Sequence, residues 1–394
     1  MNINENDYLS FYYAGRNVII DLPNLYNSTL SPFPFRYLPL SAYFFTPFSL
    51  LGLELGYFVF QVFNFVLNIL LLYLIFKIIQ IYKNLNPNSN VPFILNDFRD
   101  IFNKSENESI LHNSAIFLIA LTQFMNYFLG QINIIVCVFI LSSLFCFLKD
   151  NMNYDILGGL LLGLAILIRP TLILLVPFIL VISYNHARKK LELNLRKTFL
   201  RMLGSIVLLA ISGFYFLVYP QMLSDFIAVN LTGEYTYAID GGIEINPSFS
   251  LTRIILILID FLQVEINGFL IFLMIALLFL VPIYILYIQN SYENTHIING
   301  FLTGNLVLLI VYFDSWPHHL VVLTPFLIFF ILFNKQFKYF KMFKYLYYLI
   351  AFLMVIFWGI FYLTYTFLPL NIGGLAVVIL LYFILILYYK NLKK

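Results

Sequence analysis

The sequence predicts an all-α, polytopic membrane protein, and three observations predict it. Of its 394 residues, 62% are hydrophobic and only 10% are charged, with a mean hydropathy of +0.90; a soluble chain has too little polar surface to cover such a sequence. The apolar residues fall in long continuous runs rather than short alternating segments, which disfavours a β-barrel. Lysines and arginines gather in a few loops between those runs, as in chains threaded through a bilayer. The net charge of +3 is small and spread over loops, so it makes no case for nucleic acid. Cys137 and Cys146 share one apolar run and read as inert, buried thiols. A single membrane-embedded unit is expected over residues 1–394, divided into an outer-face head (1–54), core helices (55–333) and a C-terminal helix pair (334–394).

Residues 1–40 form a polar head holding Asp7, Asp21, Arg16 and Arg36 among tyrosines and prolines. They are too polar and too proline-broken to span. The first residues are polar and acidic, so no cleavable signal peptide is expected. Residues 37–53 are apolar but short and interrupted by Pro39, Pro47 and Gly52, which suits a surface-lying or re-entrant helix at least as well as a strained span. Residues 55–79 make a full-length span, and 82–111 a long polar loop. Two spans, 113–129 and 132–148, flank the break at Gly130-Gln131; two more, 156–168 and 171–184, flank Arg169-Pro170. The loop 185–201 carries Arg188, Lys189, Lys190, Arg196, Lys197 and Arg201 against Glu192 alone. A span over 202–219 leads to a second polar segment, 220–252, with Glu234, Asp240, Gly241-Gly242 and Glu244. Residues 253–266 include Asp260, Gln263 and Glu265 and read as an interfacial helix. Spans at 268–288, 297–313, 320–333, 346–365 and 373–389 complete the set.

Basic loops are retained in the cytoplasm. The 185–201 loop, the Lys335-Lys338-Lys341-Lys344 loop and the Lys390-Lys393-Lys394 tail are therefore assigned there. Counting spans from them closes if 253–266 does not cross. The same count puts five unusual features on one non-cytoplasmic face: the acidic head, provided 37–53 does not cross; Gly130 to Asn133; Arg169-Pro170; the 220–252 loop; and Ser315 to His319. Polar residues at membrane depth are costly and line cavities or sites.

Each feature also has an ordinary reading. Asp7 stands where it would cap a helix. Arg169 suits a headgroup anchor as well as an anion site. Trp316 fits an interfacial belt, and Gly130-Gln131 a tight helix break. His318 and His319 are adjacent, so on a helix one at most faces a given site, and no metal-ligand spacing accompanies them. Glycine-rich nucleotide loops and the signatures of serine hydrolases and zinc proteases are absent, which argues against an ATP-driven machine or a standard hydrolase.

In order along the chain stand Asp7-x4-Tyr12-Tyr13-Ala14-Gly15-Arg16, Phe35-Arg36-Tyr37-x-Pro39-Leu40, Gly130-Gln131-x-Asn133, Gly163-Leu164-x4-Arg169-Pro170-Thr171 and Ser315-Trp316-x-His318-His319. This series, covering about residues 7–333, resembles the polyprenyl-phosphate mannosyltransferases of glycosyltransferase family 87, a branch of the membrane-embedded GT-C superfamily. The Arg-Tyr-x-Pro-Leu stretch is also similar to the eukaryotic mannosyltransferase that adds the first mannose to GPI anchors. The resemblance implies a GT-C-like bundle of about 11 transmembrane helices with short interfacial helices outside. It further implies a helix ahead of the aspartate loop, upstream of where this chain starts. Where the family often has lysine, this chain has Arg169, which keeps the charge and changes the geometry.

The implied reaction moves a hexose, mannose first, from a polyprenyl-phosphate sugar to a lipid-linked or membrane-associated glycan. It would run with inversion, without a metal or other cofactor, on the non-cytoplasmic face of the plasma membrane. Asp7 is implied as general base; Arg169, His318 and His319 as holders of the donor phosphate; Arg16, Arg36, Tyr37, Gln131 and Asn133 as substrate-binding. The rival is a transporter or flippase of lipid-linked sugars, which also has many spans and intramembrane charge. It predicts internal repeats, and the five motifs are not repeated. A scaffold subunit without chemistry leaves the ordered motifs unexplained.

Overall fold

The computed structural model describes residues 6–26, 34–86, 108–185, 188–232, 248–264, 267–290, 296–364 and 370–392. It is mostly helical, and its apolar helices fall into two kinds. Among the described residues, five are long and apolar enough to cross a membrane: α3 (Leu53–Leu85), α9 (Leu195–Val218), α12 (Gly268–Gln289), the joined pair α15–α16 (Phe340–Thr364) and α17 (Ile372–Leu392). The others are shorter, and several of them lie largely inside. They include α6 (Asn133–Leu148), α7 (Met152–Ile168), α13 (His296–Val311) and α14 (Leu320–Phe333). In α13 every residue but Asn299 is buried, and in α14 every residue but Phe333.

The long helices are turned inside out relative to those of a soluble protein. In α9 the buried residues are Arg201, Gly204, Ser205 and Ser212, while Phe214 and Leu217 stand 63% and 78% exposed. A small and polar inner face with a greasy outer face suits a lipid solvent and no aqueous one. The inner face meets α7 at close range: a Cβ on Gly159 would lie 2.2 Å from the Arg201 carbonyl oxygen, and one on Gly204 would lie 2.4 Å from that of Ile156. Ser205 Oγ donates to the Gly159 carbonyl at 3.0 Å. Arg201 pairs with buried Asp155 at 2.7 Å and stacks 4.5 Å from the Phe147 ring, so this charge is compensated within the bundle.

The head folds back on itself as two antiparallel helices, α1 (Tyr8–Ile20) and α2 (Ala42–Leu50). Gly15 allows their close approach, because a Cβ there would sit 2.3 Å from Ser49 Oγ and 2.6 Å from the Phe45 carbonyl carbon. Ser49 Oγ donates to the Tyr12 carbonyl at 2.7 Å. The nine residues of α2 reach only about 14 Å at 1.5 Å per residue, far short of a bilayer core of roughly 30 Å. The eleven of α11 (Leu251–Phe261) are likewise too short to cross.

The span expected over 202–219 begins seven residues earlier, at Leu195, so that Arg196, Lys197 and Arg201 lie in α9 and not in a loop, and three further expected spans differ. Residues 113–129 are broken at Ala120, whose ψ of 138° ends α4 (Glu108–Ile119) and starts α5 (Leu121–Phe128). The break lets the short α5 turn Thr122, Gln123 and Asn126 inward. Residues 171–184 are a 3₁₀ turn (Pro170–Leu175) and one α-turn, α8 (Val176–Ile179). The chain then becomes extended and enters a hairpin of β1 (Ile182–Asn185) and β2 (Lys190–Leu193), with Ile182 opposite Leu193 and Asn185 opposite Lys190. The third span begins earlier than residue 346. It runs from α15 (Phe340–Tyr348) through a π-turn (Leu349–Leu353) into α16 (Met354–Thr364). Glu234, Asp240, Gly241-Gly242, Glu244, Glu265, Lys393 and Lys394 lie outside the described residues.

The C-terminal helix is tied to the core by tyrosines. Tyr382 donates to the Phe279 carbonyl at 2.8 Å, and Tyr388 both accepts from Asn299 at 3.2 Å and donates to Asn334 at 2.9 Å.

Candidate active site

Separated stretches of the chain converge on one open cavity of about 810 Å³, counting the space at its mouth. The first is the start of α1. Asp7 occupies the N-cap position, but its side chain makes no capping bond; the carboxylate Oδ2 instead accepts from Gln131 Nε2. Its Oδ1 has no hydrogen-bond partner among the described residues. The second stretch is the turn after α5. Gly130 has φ +64°, a conformation that favours glycine, and this reversal delivers Gln131 and Asn133 to the cavity wall.

The third stretch is the end of α7. Pro170 holds the preceding residue extended, so Arg169 leaves the helix with φ −140° and ψ 88°. Its Nη1 donates to Asn133 Oδ1 at 3.0 Å, and Asn133 in turn donates to Asn126 at 3.2 Å. The guanidinium is buried, its Nη2 has no protein partner, and no carboxylate pairs with it among the described residues. Such a charge calls for an anion. The Leu38 amide donates to the Leu167 carbonyl at 3.0 Å, which pins the segment bearing Arg36 and Tyr37 beside it.

The fourth stretch joins α13 to α14. Asp314 pairs with Arg36 on one oxygen and with Arg253 Nη2 at 3.2 Å on the other. Ser315 anchors the turn through its amide to Ser248 Oγ at 2.9 Å. His318 and His319 lie in a 3₁₀ turn (Pro317–His319) with rings 4.4 Å apart at 80°. Both line the cavity, although the expectation was that one at most faces a given site. The Trp316 amide donates to His319 Nδ1 at 3.2 Å, which leaves Nε2 of the neutral ring as the proton-bearing donor.

Of the residues singled out from sequence, Asp7, Arg36, Tyr37, Gln131, Asn133, Arg169, His318 and His319 line this cavity. Arg16 does not; it stands exposed on α1. Gln131 contacts the Asp7 carboxylate, and Arg36 contacts Asp314, before either meets a ligand. Sequence reading missed Asp314, its second partner Arg253, and the lining residues Ser10, Asn230 and Tyr312. Asp314 carried a usable signal: an acid between two apolar runs, directly before the Ser-Trp motif.

Burial raises the Asp7 carboxyl to about 6, partly offset by the Gln131 hydrogen bond and by Arg36. Burial, and then the charge of Arg169, lower His318 to about 3, so its ring is neutral near pH 7. The cavity thus holds a poised carboxylate, a buried guanidinium and two imidazoles. That set can take a proton and bind an anion. Among the described residues, no group of three or more His, Cys, Asp and Glu side chains is placed to hold a metal ion.

The lipid-facing long helices and the buried charges of this cavity describe a membrane protein with a polar site set inside it. The sequence profile described as glycosyltransferase family 87 matches residues 35–311, and the chain belongs to that family of membrane glycosyltransferases. The match includes Arg36, Tyr37, Gln131, Asn133 and Arg169 but not Asp7 or the two histidines, which the fold brings to the matched residues. No curated protein and no solved structure matches the chain.

Proposed function

We propose that the protein transfers a hexose, mannose in the first instance, from a polyprenyl-phosphate sugar to a lipid-linked or membrane-associated glycan. The reaction inverts the anomeric carbon and runs on the non-cytoplasmic face of the plasma membrane, with no cofactor. The observation that carries the reading is Arg169: a buried guanidinium without a carboxylate partner among the described residues, in one cavity with the Asp7 carboxylate.

Asp7 Oδ1 takes the acceptor hydroxyl's proton while that oxygen attacks the anomeric carbon from the face opposite the phosphate. The new glycosidic bond forms as the bond to the phosphate oxygen breaks, and the electron pair leaves on the lipid phosphate. A phosphate monoester departs without protonation if positive charge and donors surround it. Arg169 Nη2 supplies the charge and His319 Nε2–H a donor, with His318 beside them. Arg36 and Tyr37 hold the acceptor, and Asp314 fixes the Arg36 guanidinium.

The test incubates membranes containing the protein with labelled polyprenyl-phosphate mannose and, separately, with the glucose and arabinose donors. Product lipids are identified by mass. Transfer of one sugar by the wild type and none by Asp7→Asn is expected. Sugar that crosses the membrane still attached to its original carrier would instead establish the flippase.

A further inference from the structure

The residue before the proposed base is held more firmly than the base itself. Asn6 is fully buried. Its Oδ1 accepts the Tyr8 backbone N–H at 3.0 Å and closes the first turn of α1. Its Nδ2 donates to the Tyr57 hydroxyl of α3 at 3.1 Å and to the Phe128 carbonyl at the end of α5 at 3.3 Å. One amide therefore joins three elements, using both a donor and an acceptor that only Asn or Gln combines in this way.

The clamp lies directly behind the reacting groups. From Phe128 the chain turns through Gly130 to Gln131, whose amide holds Asp7. At Gly130 a Cβ would stand 2.3 Å from Asn6 Oδ1 and 3.0 Å from Tyr8 Cβ. The turn and the head are thus packed to contact, with glycine as the only residue that fits. We infer that Asn6, backed by Tyr57 and Gly130, is the positioning residue of the base: it fixes Asp7 against Gln131, so that one carboxylate oxygen is held and the other faces the acceptor hydroxyl. The inference rests on Asp7 acting as base.

Loosening this clamp weakens the Gln131–Asp7 hydrogen bond, which favours the carboxylate; the acid limb of the rate profile then moves to higher pH. Other charged or titratable groups that share the cavity with Asp7 are Arg36 and Tyr37 ahead of α2, Arg169 at the end of α7, and Tyr312, Asp314, His318 and His319 between α13 and α14. Asn6 itself bonds to Tyr8, Tyr57 and Phe128.

The experiment uses the full chain in membranes with whichever of the three labelled donors the wild type accepts, and measures kcat, donor KM and the pH profile. Asn6→Ala and Gly130→Ala are expected to lower kcat about ten- to a hundredfold, since small misplacements of a reacting group are this costly. Donor KM should stay within about twofold, and the acid limb should rise. Tyr57→Phe keeps the ring and removes one acceptor, so a smaller change in the same direction is expected. A wild-type kcat per folded molecule with an unmoved limb overturns the inference, as does a loss of folded protein alone; if Asn6→Ala does not fold, Tyr57→Phe decides by the same limb. Asp7→Asn at the wild-type rate would remove the base assignment itself. An inactive Asp7→Asn beside an unchanged Asn6→Ala would remove only the positioning role.

Discussion

Asp7 carries a cost that the proposed role of base would explain. Its carboxyl sits at about 6 instead of 3.8, a preference for the neutral form on the order of 2–3 kcal/mol. Because the folded value is raised, the folded state is favoured most when Asp7 is protonated, and that advantage is lost as pH rises through about 6. Asp7→Asn should therefore abolish transfer and yet raise the thermal midpoint at pH 7.5, read by dye-monitored unfolding in detergent; a lower midpoint would contradict the burial argument. Transfer by the wild type should fall as pH drops through about 6, when the base becomes protonated. At Arg169, lysine keeps the charge but loses the planar fork that bonds Asn133. Arg169→Lys should weaken donor use by about tenfold or more in KM, and Arg169→Gln further, while Arg16→Ala should match the wild type. The ordered motifs made most lining residues legible in the sequence. Asp314 was not, because its meaning lies in Arg36 and Arg253, which approach it from distant parts of the chain. Nor did the sequence disclose that both histidines share the cavity, since the shape of the cavity wall depends on stretches distant in the chain.

Elements whose hydropathy matched their environment were easy to read, and the misreadings have a common cause. Residues 171–184 are as apolar as any span, but their backbone turns extended after Ile179 to enter a hairpin. Residues 113–129 look continuous, but buried Gln123 and Asn126 need inward-facing positions that one straight helix does not provide. Hydropathy measures transfer to oil and is blind to where a helix stops inside a protein. The α1–α2 pairing is testable at Gly15. Gly15→Leu places a branched side chain where even a Cβ meets the α2 backbone at 2.6 Å. Overpacking of this kind costs about 1–3 kcal/mol or more, so a lower thermal midpoint and loss of transfer are expected together. An unchanged midpoint would mean that the two helices are not packed as described.

At the scale of the whole molecule, long outer helices enclose short, fully buried ones, and the cavity opens where the short helices end. Composition foretold the membrane but not this layering, because buried and lipid-facing helices are equally apolar. The layering has a consequence for biogenesis. The cavity joins residues from Asp7 to His319, so the first wall to leave the ribosome waits for nearly the entire chain before the last is made. Until the turn after α13 arrives, Arg36 lacks Asp314, its charge partner, and the catalytic pocket has no roof. On the proposed function, a nascent chain should be inert toward the sugar donor while it is being inserted. Release of a chain ending at Val311 should give a membrane-integrated protein with no transferase activity, detectable by pulse-labelling followed by donor assay. Activity appears late and all at once, which ties the onset of glycan synthesis to completed insertion.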